Sequence, residues 1–203
     1  MPPVLTESGR DLIFRNARTH KYWLDVPVSD ATLRELYDLM KWGPTSANMS
    51  PIRIVFLRTR EAKERLRPTL SPGNVDKTMT APVTAILAYD YNFALKLPKL
   101  FPHNPKVSES FRTAETIAAN ADRNGALQAG YLILAARAVG LDCGPMTGFN
   151  AAKVNEEFFP AGQSLLPGSD LRADILCNLG YGDRTRLSPR NPRLEFDEAC
   201  VLL

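Results

Sequence analysis

The sequence has 203 residues, of which 44% are hydrophobic and 23% are charged, and its formal net charge is +3. These values fit one globular domain over residues 1–203, and so small a charge gives no argument for a nucleic-acid partner. The chain has no run of about 20 apolar residues, so it is not expected to span a membrane.

The first element with a clear pattern is an amphipathic helix, predicted over residues 29–42. Ser29 is a suitable N-cap. Apolar residues then recur at i, i+3, i+4 and i+7 from Leu33 to Met40, which gives the helix one apolar face. Pro44 prevents the helix from continuing.

Two strands are predicted next. Residues 52–59 are β-branched and apolar, and residues 83–90 are apolar without alternation, as in a strand buried on both faces. A short charged helix is predicted between them over 61–67. Residues 91–115 contain three prolines and have no firm period, which predicts a loop or a set of short helices.

A second long helix is predicted over residues 122–139, followed by a strand over 173–182 that runs into a glycine turn. The helix is apolar nearly all round and is therefore expected to be buried on several sides. Alternating strands and helices favour an α/β or α+β sandwich. Small residues in the helix would allow close approach to a sheet or to a partner chain: Gly125, Ala126, Ala129 and Gly130.

Cysteine and histidine usage indicates a reducing compartment and no metal site. Cys143, Cys177 and Cys200 are widely spaced and form no C-x-x-C pair, as expected of reduced thiols in a cytoplasmic protein. His20 and His103 have no second His or Cys nearby in sequence, so no metal is expected. The N-terminus lacks the basic and apolar regions of a signal peptide.

Basic residues form two groups that are far apart in the sequence. These groups could converge on one anion or could form ordinary solvated surface, and the sequence leaves both alternatives open. The usual dinucleotide, P-loop and nucleophile-elbow motifs are absent, so any ligand must be held by scattered residues. The groups are Arg15, Arg18, His20 and Lys21 near the N-terminus, and Arg184, Arg186, Arg190 and Arg193 near the C-terminus.

Three segments taken together resemble one family: K-W-G-P-T-S-A-N at 41–48, T-A-P-V-T-A at 80–85 and G-L-D-C-G-P-M-T-G-F at 140–149. The chain resembles the FMN-dependent nitroreductase family from about residue 14 to its end, and most closely the branch of malonic semialdehyde reductases in pyrimidine use. The resemblance implies an α+β fold, a three-layer sandwich with a central mixed sheet flanked by helices, in an intertwined homodimer.

The same resemblance implies which residues hold the phosphate and ribityl chain of FMN. Arg18, with its forked guanidinium, would bind the phosphate. Arg190 or Arg193 would close on the phosphate from the C-terminal side, and the sequence does not choose between them. The N-terminal segment implied to contact FMN is Arg18, Thr19, His20 and Lys21.

Other segments would contact the flavin ring. Asn74 would donate to a flavin carbonyl, and Lys77 would place positive charge near N1, which favours reduction. The alternative is a turn asparagine and a surface lysine. Behind the ring, a main-chain N–H would point at N5 from a segment comprising Pro145, Met146, Thr147 and Gly148.

The loop after the first predicted helix would cross to the partner chain. By resemblance, its hydroxyl and amide groups would meet the partner's flavin, and its prolines would reduce the ordering cost of binding. The alternative is a simple helix-to-strand turn that needs no ligand. The loop residues concerned are Pro44, Thr45, Ser46 and Asn48.

The resemblance implies an oxidoreductase in which NADH or NADPH reduces FMN, and a small acceptor then takes the hydride in a ping-pong cycle. The flavin carries the chemistry, so no catalytic side chain is assigned. If the acceptor is malonic semialdehyde, reduced to 3-hydroxypropionate, its carboxylate needs an arginine, and Arg112 and Arg123 are the candidates. Nitroaromatic or quinone reduction, and a non-catalytic flavin-binding module, are the alternatives.

Overall fold

A four-stranded sheet with the strand order β1–β2–β4–β3 forms the centre of the fold. The computed structural model describes residues 3–160 and 165–203; Met1 and Pro2, which begin the stretch compared above with a signal peptide, lie outside the described residues. The strands are β1 (Ile52–Leu57), β2 (Val83–Asp90), β3 (Asp142–Met146) and β4 (Leu171–Gly180).

Helices and short helical turns occupy much of the remaining described chain. The α-helices are α1 (Glu7–Arg10), α2 (Asp30–Met40), α3 (Arg60–Leu66), α4 (Pro72–Met79), α5 (Leu97–Leu100), α6 (Ala114–Ala138), α7 (Ala151–Phe158) and α8 (Phe196–Ala199). The π-helical turn Asp11–Arg15 follows α1, and the 3₁₀ turns are Ser46–Asn48, Arg67–Thr69, Phe93–Lys96, Pro105–Ser110 and Arg184–Arg186. Of the helices in residues 3–160 and 165–203, none combines the length and apolarity needed to cross a bilayer.

Helices cover both faces of the sheet, which confirms the predicted three-layer sandwich. Strand β2 is buried along its whole length, as its continuous apolar run predicts. Its successive side chains alternate between two cores. Leu87 and Tyr89 belong to the core that includes α2 and α6, whereas Ile86 belongs to the core that includes α3 and α7.

The strand pairings differ from the expected mixed sheet. All three ladders between the named strands are antiparallel, and a parallel pairing occurs as an isolated bridge between Thr19 and Cys143. Strand β3 is absent from the sequence-based prediction because Gly144 and Pro145 disfavour strands. It lies at the sheet edge, where a proline is tolerated.

Helix boundaries show where local signals are reliable. The predicted N-cap of α2 is confirmed, because Oγ of Ser29 accepts a hydrogen bond from the N–H of Thr32 at 3.1 Å. Helix α6 begins at Ala114, eight residues before its predicted start. Thr113 caps it in the same way, with its Oγ1 3.2 Å from the backbone nitrogen of Thr116. The first two turns of α6 carry few large apolar residues, so they show no amphipathic period.

Gly125 of α6 lies directly against the ring of Tyr89. A β-carbon built on Gly125 would lie 2.5 Å from Cγ of Tyr89, whereas one on Gly130 would meet no atom within 4 Å. We expect Gly125→Ala to lower the free energy of unfolding by about 1–3 kcal/mol through overpacking. Gly130→Ala should leave it unchanged or raise it by up to about 1 kcal/mol, because alanine favours a helix. Urea unfolding measures both, and equal stabilities would contradict the expectation.

Candidate functional site

A basic cleft of about 570 Å³ lies where the N-terminal and C-terminal parts of the chain meet. Arg18, Thr19 and Lys21 line it from the N-terminal side, and Arg190 and Arg193 line it from the C-terminal side. Members of both basic groups therefore lie in one cleft, which favours the first of the two alternatives that the sequence leaves open. Because the charges share one sign, this basic cleft attracts an anion.

Two arginines join the walls of the basic cleft. Nη2 of Arg18 donates to the carbonyl of Ser188 at 2.5 Å. Nη2 of Arg190 donates to the carbonyls of Arg15 and Ala17 at 2.7 and 2.9 Å. These hydrogen bonds tie the N-terminal segment to the C-terminal segment and so fix the width of the basic cleft.

Arg190 and Arg193 differ in what they contact. Whereas Arg190 reaches across to the N-terminal segment, Nη1 of Arg193 donates to the carbonyls of Asn191 and Pro192 at 3.0 and 2.9 Å. Arg193 therefore bonds within its own segment. The geometry gives Arg190 the stronger claim to a position facing Arg18.

Sequence reasoning assigned no site role to two further arginines of the basic cleft. Arg137, in the last turn of α6, lines the cleft, and its Nη1 donates to the carbonyl of Ile13 at 2.9 Å. Arg186 also lines it, and its guanidinium carbon lies 3.4 Å from the centre of the Tyr22 ring. Arg186 belongs to the C-terminal basic group, whereas no sequence signal distinguishes Arg137 from an ordinary helix-ending arginine.

A second cavity of about 500 Å³ adjoins the basic cleft and shares Lys21, Tyr22 and Arg186 with it. Its wall also includes Trp23 and Lys77, together with Gly73, the acidic residue Asp76 and Thr80, and it is called the α4 cavity below. Burial, together with the positive charge of Lys21, lowers the pKa of the Lys77 ammonium group. The basic cleft and the α4 cavity thus form one continuous basic site.

Asn74 connects α4 to the segment after β3. Its Nδ2 donates to the carbonyl of Gly148 at 2.6 Å, so one of its two amide hydrogens already has a partner. A β-carbon on Gly148 would lie 2.5 Å from the same Nδ2, so this close approach requires a glycine. The structure therefore brings together two predicted cofactor segments, whose contacting residues Asn74 and Gly148 are 74 positions apart in sequence, beside Lys77.

Two further residues of the predicted cofactor segments, Met146 and His20, have buried side chains, so a cofactor could reach them only through their backbone groups. The side chain of Met146 lies in the core, where its sulfur accepts a hydrogen bond from Oγ1 of Thr78 at 3.7 Å. His20 is 1% exposed and packs on Gly182. In extended backbone, neighbouring side chains point in opposite directions, so His20 is turned inward while Thr19 and Lys21 line the cleft. Of the remaining residues in the β3 segment, Pro145 is half-buried and Thr147 is exposed.

The buried imidazole of His20 makes stability depend on pH. Burial lowers the pKa of His20; the Asp142 carboxylate, 3.4 Å away, opposes this shift, and the charges of Arg184 and Arg18 reinforce it. The unfolded chain, with a pKa of about 6.5, therefore binds a proton more readily than the folded chain. Stability contributed by neutral His20 is present above about pH 6.5 and is lost as the pH falls.

We expect the free energy of unfolding to decrease below about pH 6.5, by at most about 1.4 kcal/mol per pH unit from this group. Urea unfolding between about pH 5 and pH 7.5 measures the slope. His20→Gln should flatten this slope, whereas His103→Gln should retain it. An unchanged slope in His20→Gln would contradict the assignment.

The predicted interface loop lies at the opposite corner of the sheet from the basic cleft. The loop precedes Ile52 of β1, whereas the cleft adjoins β3 through the bridge between Thr19 and Cys143. β1 and β3 are the two edge strands. Strand spacing and the observed register place the two corners about 14 Å apart across the sheet and about 20 Å apart along it. Within one chain, the loop and the basic cleft therefore cannot contact the same small bound molecule.

Two polar side chains of the loop have partners inside the chain. Oγ1 of Thr45 accepts from the N–H of Ser50 at 3.1 Å, and Nδ2 of Asn48 donates to the carbonyl of Leu100 at 2.8 Å. Pro44 and Ser46 are exposed. The loop is thus a well-held turn that leaves polar groups at the surface.

The arginines considered for a substrate carboxylate do not line the basic site. Arg112 is exposed and forms an ion pair with Glu109 at 2.8 Å. Arg123 is exposed on α6 and precedes Asn124, whose amide contacts the loop through Ser46. Arg123 therefore belongs to the corner of the loop, away from Lys77 of the same chain.

Comparison with known proteins shows which family the sequence matches. The model of the nitroreductase family matches residues 14–159 of this chain. A protein of Cupriavidus pinatubonensis (strain JMP 134 / LMG 1197), provisionally named as an NADH dehydrogenase/NAD(P)H nitroreductase, is 54% identical over 195 residues, covering 95% of this chain and 96% of that protein.

Solved structures share the fold at low sequence identity. A provisionally named nitroreductase of Exiguobacterium sibiricum, crystallised in complex with FMN, has a TM-score of 0.81 and 17% identity and covers all of both chains. A provisionally named NAD(P)H:FMN oxidoreductase of Staphylococcus epidermidis has a TM-score of 0.83 and 15% identity, covering 100% of this chain and 99% of that one. These two likenesses concern the fold alone.

Proposed function

This chain belongs to the nitroreductase family, and we propose that it is an FMN-dependent NAD(P)H oxidoreductase that reduces a small acceptor. The observation that carries the proposal is the continuous basic site, in which distant segments meet. A relative of the same fold was crystallised with FMN, which supports FMN as the occupant.

The residues of the basic site fit a phosphorylated, planar cofactor. The basic cleft offers the guanidinium groups of Arg18 and Arg190, which suit a phosphate because they donate paired hydrogen bonds. The lining of the α4 cavity includes the aromatic residues Tyr22 and Trp23 and the cation of Lys77, besides one carboxylate, and this mixture suits a polar ring. Volumes of about 570 and 500 Å³ lie within the usual range of small-molecule sites.

When bound, FMN supplies the hydride chemistry between NAD(P)H and the acceptor. The protein contributes position and charge. Lys77, which lines the α4 cavity, would hold a cation near the bound cofactor and so would favour the negative charge that reduction adds. Asn74 holds the backbone at Gly148 in place. Because glycine has no β-carbon, this backbone can lie close to the Asn74 amide.

The proposal includes a homodimer, because one chain does not complete the site. The loop at 44–48 and the basic cleft lie at opposite corners of the sheet, so the loop would meet the cofactor of a second copy. Leu127 and Tyr131 of α6 are 50% and 38% exposed and offer an apolar contact surface. The tail after Arg193 also exposes apolar side chains, namely Leu194, Phe196, Val201 and Leu202.

For the acceptor, we propose a small semialdehyde that carries a carboxylate, malonic semialdehyde in particular. Resemblance to that branch of the family supports this choice, as does the α4 cavity, where three cationic residues outnumber the single carboxylate of Asp76. Because Arg123 lies at the corner of its own chain's loop, in a dimer the second copy would bring its Arg123 to the site together with that loop, and Arg112 is a further candidate source of positive charge. A nitroaromatic or quinone is the alternative acceptor, and a non-catalytic flavin-binding module is the second alternative.

We also propose a single domain over residues 1–203 in a reducing, cytoplasmic compartment. Cys143, Cys177 and Cys200 are free, and Cys200 is exposed. An exposed free thiol suits a reducing environment.

The function is tested by colour and by turnover. We expect the purified protein to be yellow and to bleach anaerobically with NADH or NADPH, and we expect malonic semialdehyde to restore the colour faster than nitrofurazone does. Lys77→Gln should slow bleaching about tenfold or more, whereas Lys153→Gln, at an exposed position on α7, should not. A protein that stays colourless with added FMN would overturn the proposal, and faster reoxidation by nitrofurazone would favour the alternative acceptor.

A further inference from the structure

The loop that precedes β1 has an unfavourable backbone conformation at three positions. Ala47, Asn48 and Ser50 have φ angles of 48°, 50° and 40°, in the left-handed region that residues with a β-carbon rarely adopt. Such a conformation persists where its surroundings hold it in place. The groups that hold this loop therefore control its shape.

Two buried amides of α6 hold the backbone at Ser46, within the loop, and at Ile52, where β1 begins. Oδ1 of Asn124 accepts from the N–H of Ser46 at 2.8 Å, and Oε1 of Gln128 accepts from the N–H of Ile52 at 2.9 Å. The two amides are four residues apart, so they lie on the same face of the helix, and both are buried. One helix thus fixes the loop at Ser46 and the start of β1.

Further polar contacts fix the amide orientation and the middle of the loop. Nδ2 of Asn124 donates to the carbonyl of Asn120 at 2.9 Å, so α6 itself orients the Asn124 amide. Nη1 of Arg53 donates to the carbonyl of Ser50 at 2.7 Å, while its Nη2 pairs with buried Asp90 at 2.8 Å. The loop is therefore held by polar groups along its whole course.

The need to fill space does not explain why these two buried side chains are amides. Burying an amide is unfavourable unless its polar atoms are satisfied, and apolar side chains of similar volume would also fill the layer between α6 and β1. The amides provide a defined direction for each N–H group that they bind. Because the N–H groups of Ser46 and Ile52 both point in a defined direction, the backbone between them is restricted in the course that it can take.

We propose that Asn124 and Gln128 are positioning residues, which hold the loop at 44–48 in the shape that meets the cofactor of the partner subunit. This inference rests on the proposed function. Loss of either amide lets the loop relax, so that its surface groups no longer fit the cofactor of the other copy. The basic cleft of the altered chain, at the opposite corner, keeps its own structure.

The first test compares isosteric variants. Asn124→Leu and Gln128→Met keep the side-chain volume but remove the acceptor. In the holoenzyme, we expect each to raise the dissociation constant of FMN about tenfold or more and to shift the visible absorption bands of bound FMN. Asn120→Leu is the matched control, because the Asn120 amide donates within its own helix, to the carbonyl of Thr116 at 2.8 Å.

Mixed dimers separate positioning from a general structural role. In the trans dimer, one chain carries Asn124→Leu and the other carries Arg18→Ala, so the intact cleft faces an intact loop. In the cis dimer, one chain carries both substitutions, so the intact cleft faces the altered loop. Each mixed dimer has one intact cleft, which binds FMN more tightly than the cleft with Arg18→Ala. We expect FMN in the intact cleft to have the wild-type spectrum in the trans dimer and the shifted spectrum in the cis dimer.

Each outcome decides the question. Identical cis and trans spectra would overturn the inference while leaving FMN binding by the wild type intact. If neither Asn124→Leu nor Gln128→Met can be obtained folded, even beside a wild-type chain, the amides are stability elements and the inference fails. A wild-type protein that does not bind FMN would instead overturn the proposed function itself.

Discussion

Replacing Asp90 by alanine is expected to lower the free energy of unfolding by about 3–5 kcal/mol. Asp90 is 0% exposed, and Nη2 of Arg53 and Oγ of Ser169 donate to its Oδ2 at 2.8 and 2.9 Å. Its Oδ1 accepts from the backbone N–H groups of Asn92 and Asp170 at 3.0 and 3.1 Å. Alanine would leave a half-buried guanidinium and two N–H groups without their acceptor, and each loss is unfavourable.

Thermal and urea unfolding measure this effect, and the melting temperature should fall by roughly 10 °C. Asp170→Ala is a matched control, because the Asp170 carboxylate pairs with Arg172 at the surface, at 3.2 Å. Such exposed pairs contribute at most about 1 kcal/mol, and the backbone N–H of residue 170 still reaches Asp90. Equal stability of the two variants would show that water replaces the Asp90 contacts without cost.

Replacing Arg18 by alanine is expected to weaken FMN binding by about 1.5–3 kcal/mol, which corresponds to roughly a 10- to 150-fold higher dissociation constant. Arg18 lines the basic cleft and also holds its C-terminal wall through Ser188. The substitution therefore removes a phosphate partner and loosens the cleft. Fluorescence of released FMN during dilution measures the dissociation constant.

We expect the loss of one positive charge to weaken FMN binding only when the charge lies in the basic cleft. A matched variant outside the cleft tests this point. Arg60→Ala removes the same charge from a side chain that is 85% exposed. Arg60 begins α3, which follows β1, the edge strand opposite to β3. FMN retention should be unchanged in Arg60→Ala. If Arg18→Ala retains FMN as well as Arg60→Ala does, Arg18 has no role in holding the phosphate, and Arg190 becomes the principal candidate.

Several features of the candidate site follow from residue type and order alone. The sequence raises the possibility that its two basic groups converge on one anion, and Arg18, Lys21, Arg190 and Arg193 do lie in one cleft. The spacing of Asn74 and Lys77 fits one helix, and α4 contains both. Such predictions succeed because they depend on side-chain chemistry and on neighbours within a few residues.

Other features depend on contacts between distant segments. The side chain of His20 faces inward because the backbone at Thr19 bridges to Cys143, which is more than 120 residues away. The support of the loop by Asn124 and Gln128 requires α6 to pack beside β1. No local pattern in the sequence contains these relations.

By itself, the sequence determined the helices and strands with strong periodicity, the capping of α2 and the chemistry of the basic site. Tertiary structure decided that β1 and β3 occupy opposite edges of the sheet, and therefore that the loop at 44–48 and the basic cleft lie at opposite corners. The physical reason is that periodicity and capping arise from near neighbours along the chain, whereas strand order is set by hydrogen bonding and packing between distant residues, such as Thr84 and Asn178, whose side chains meet at 2.7 Å.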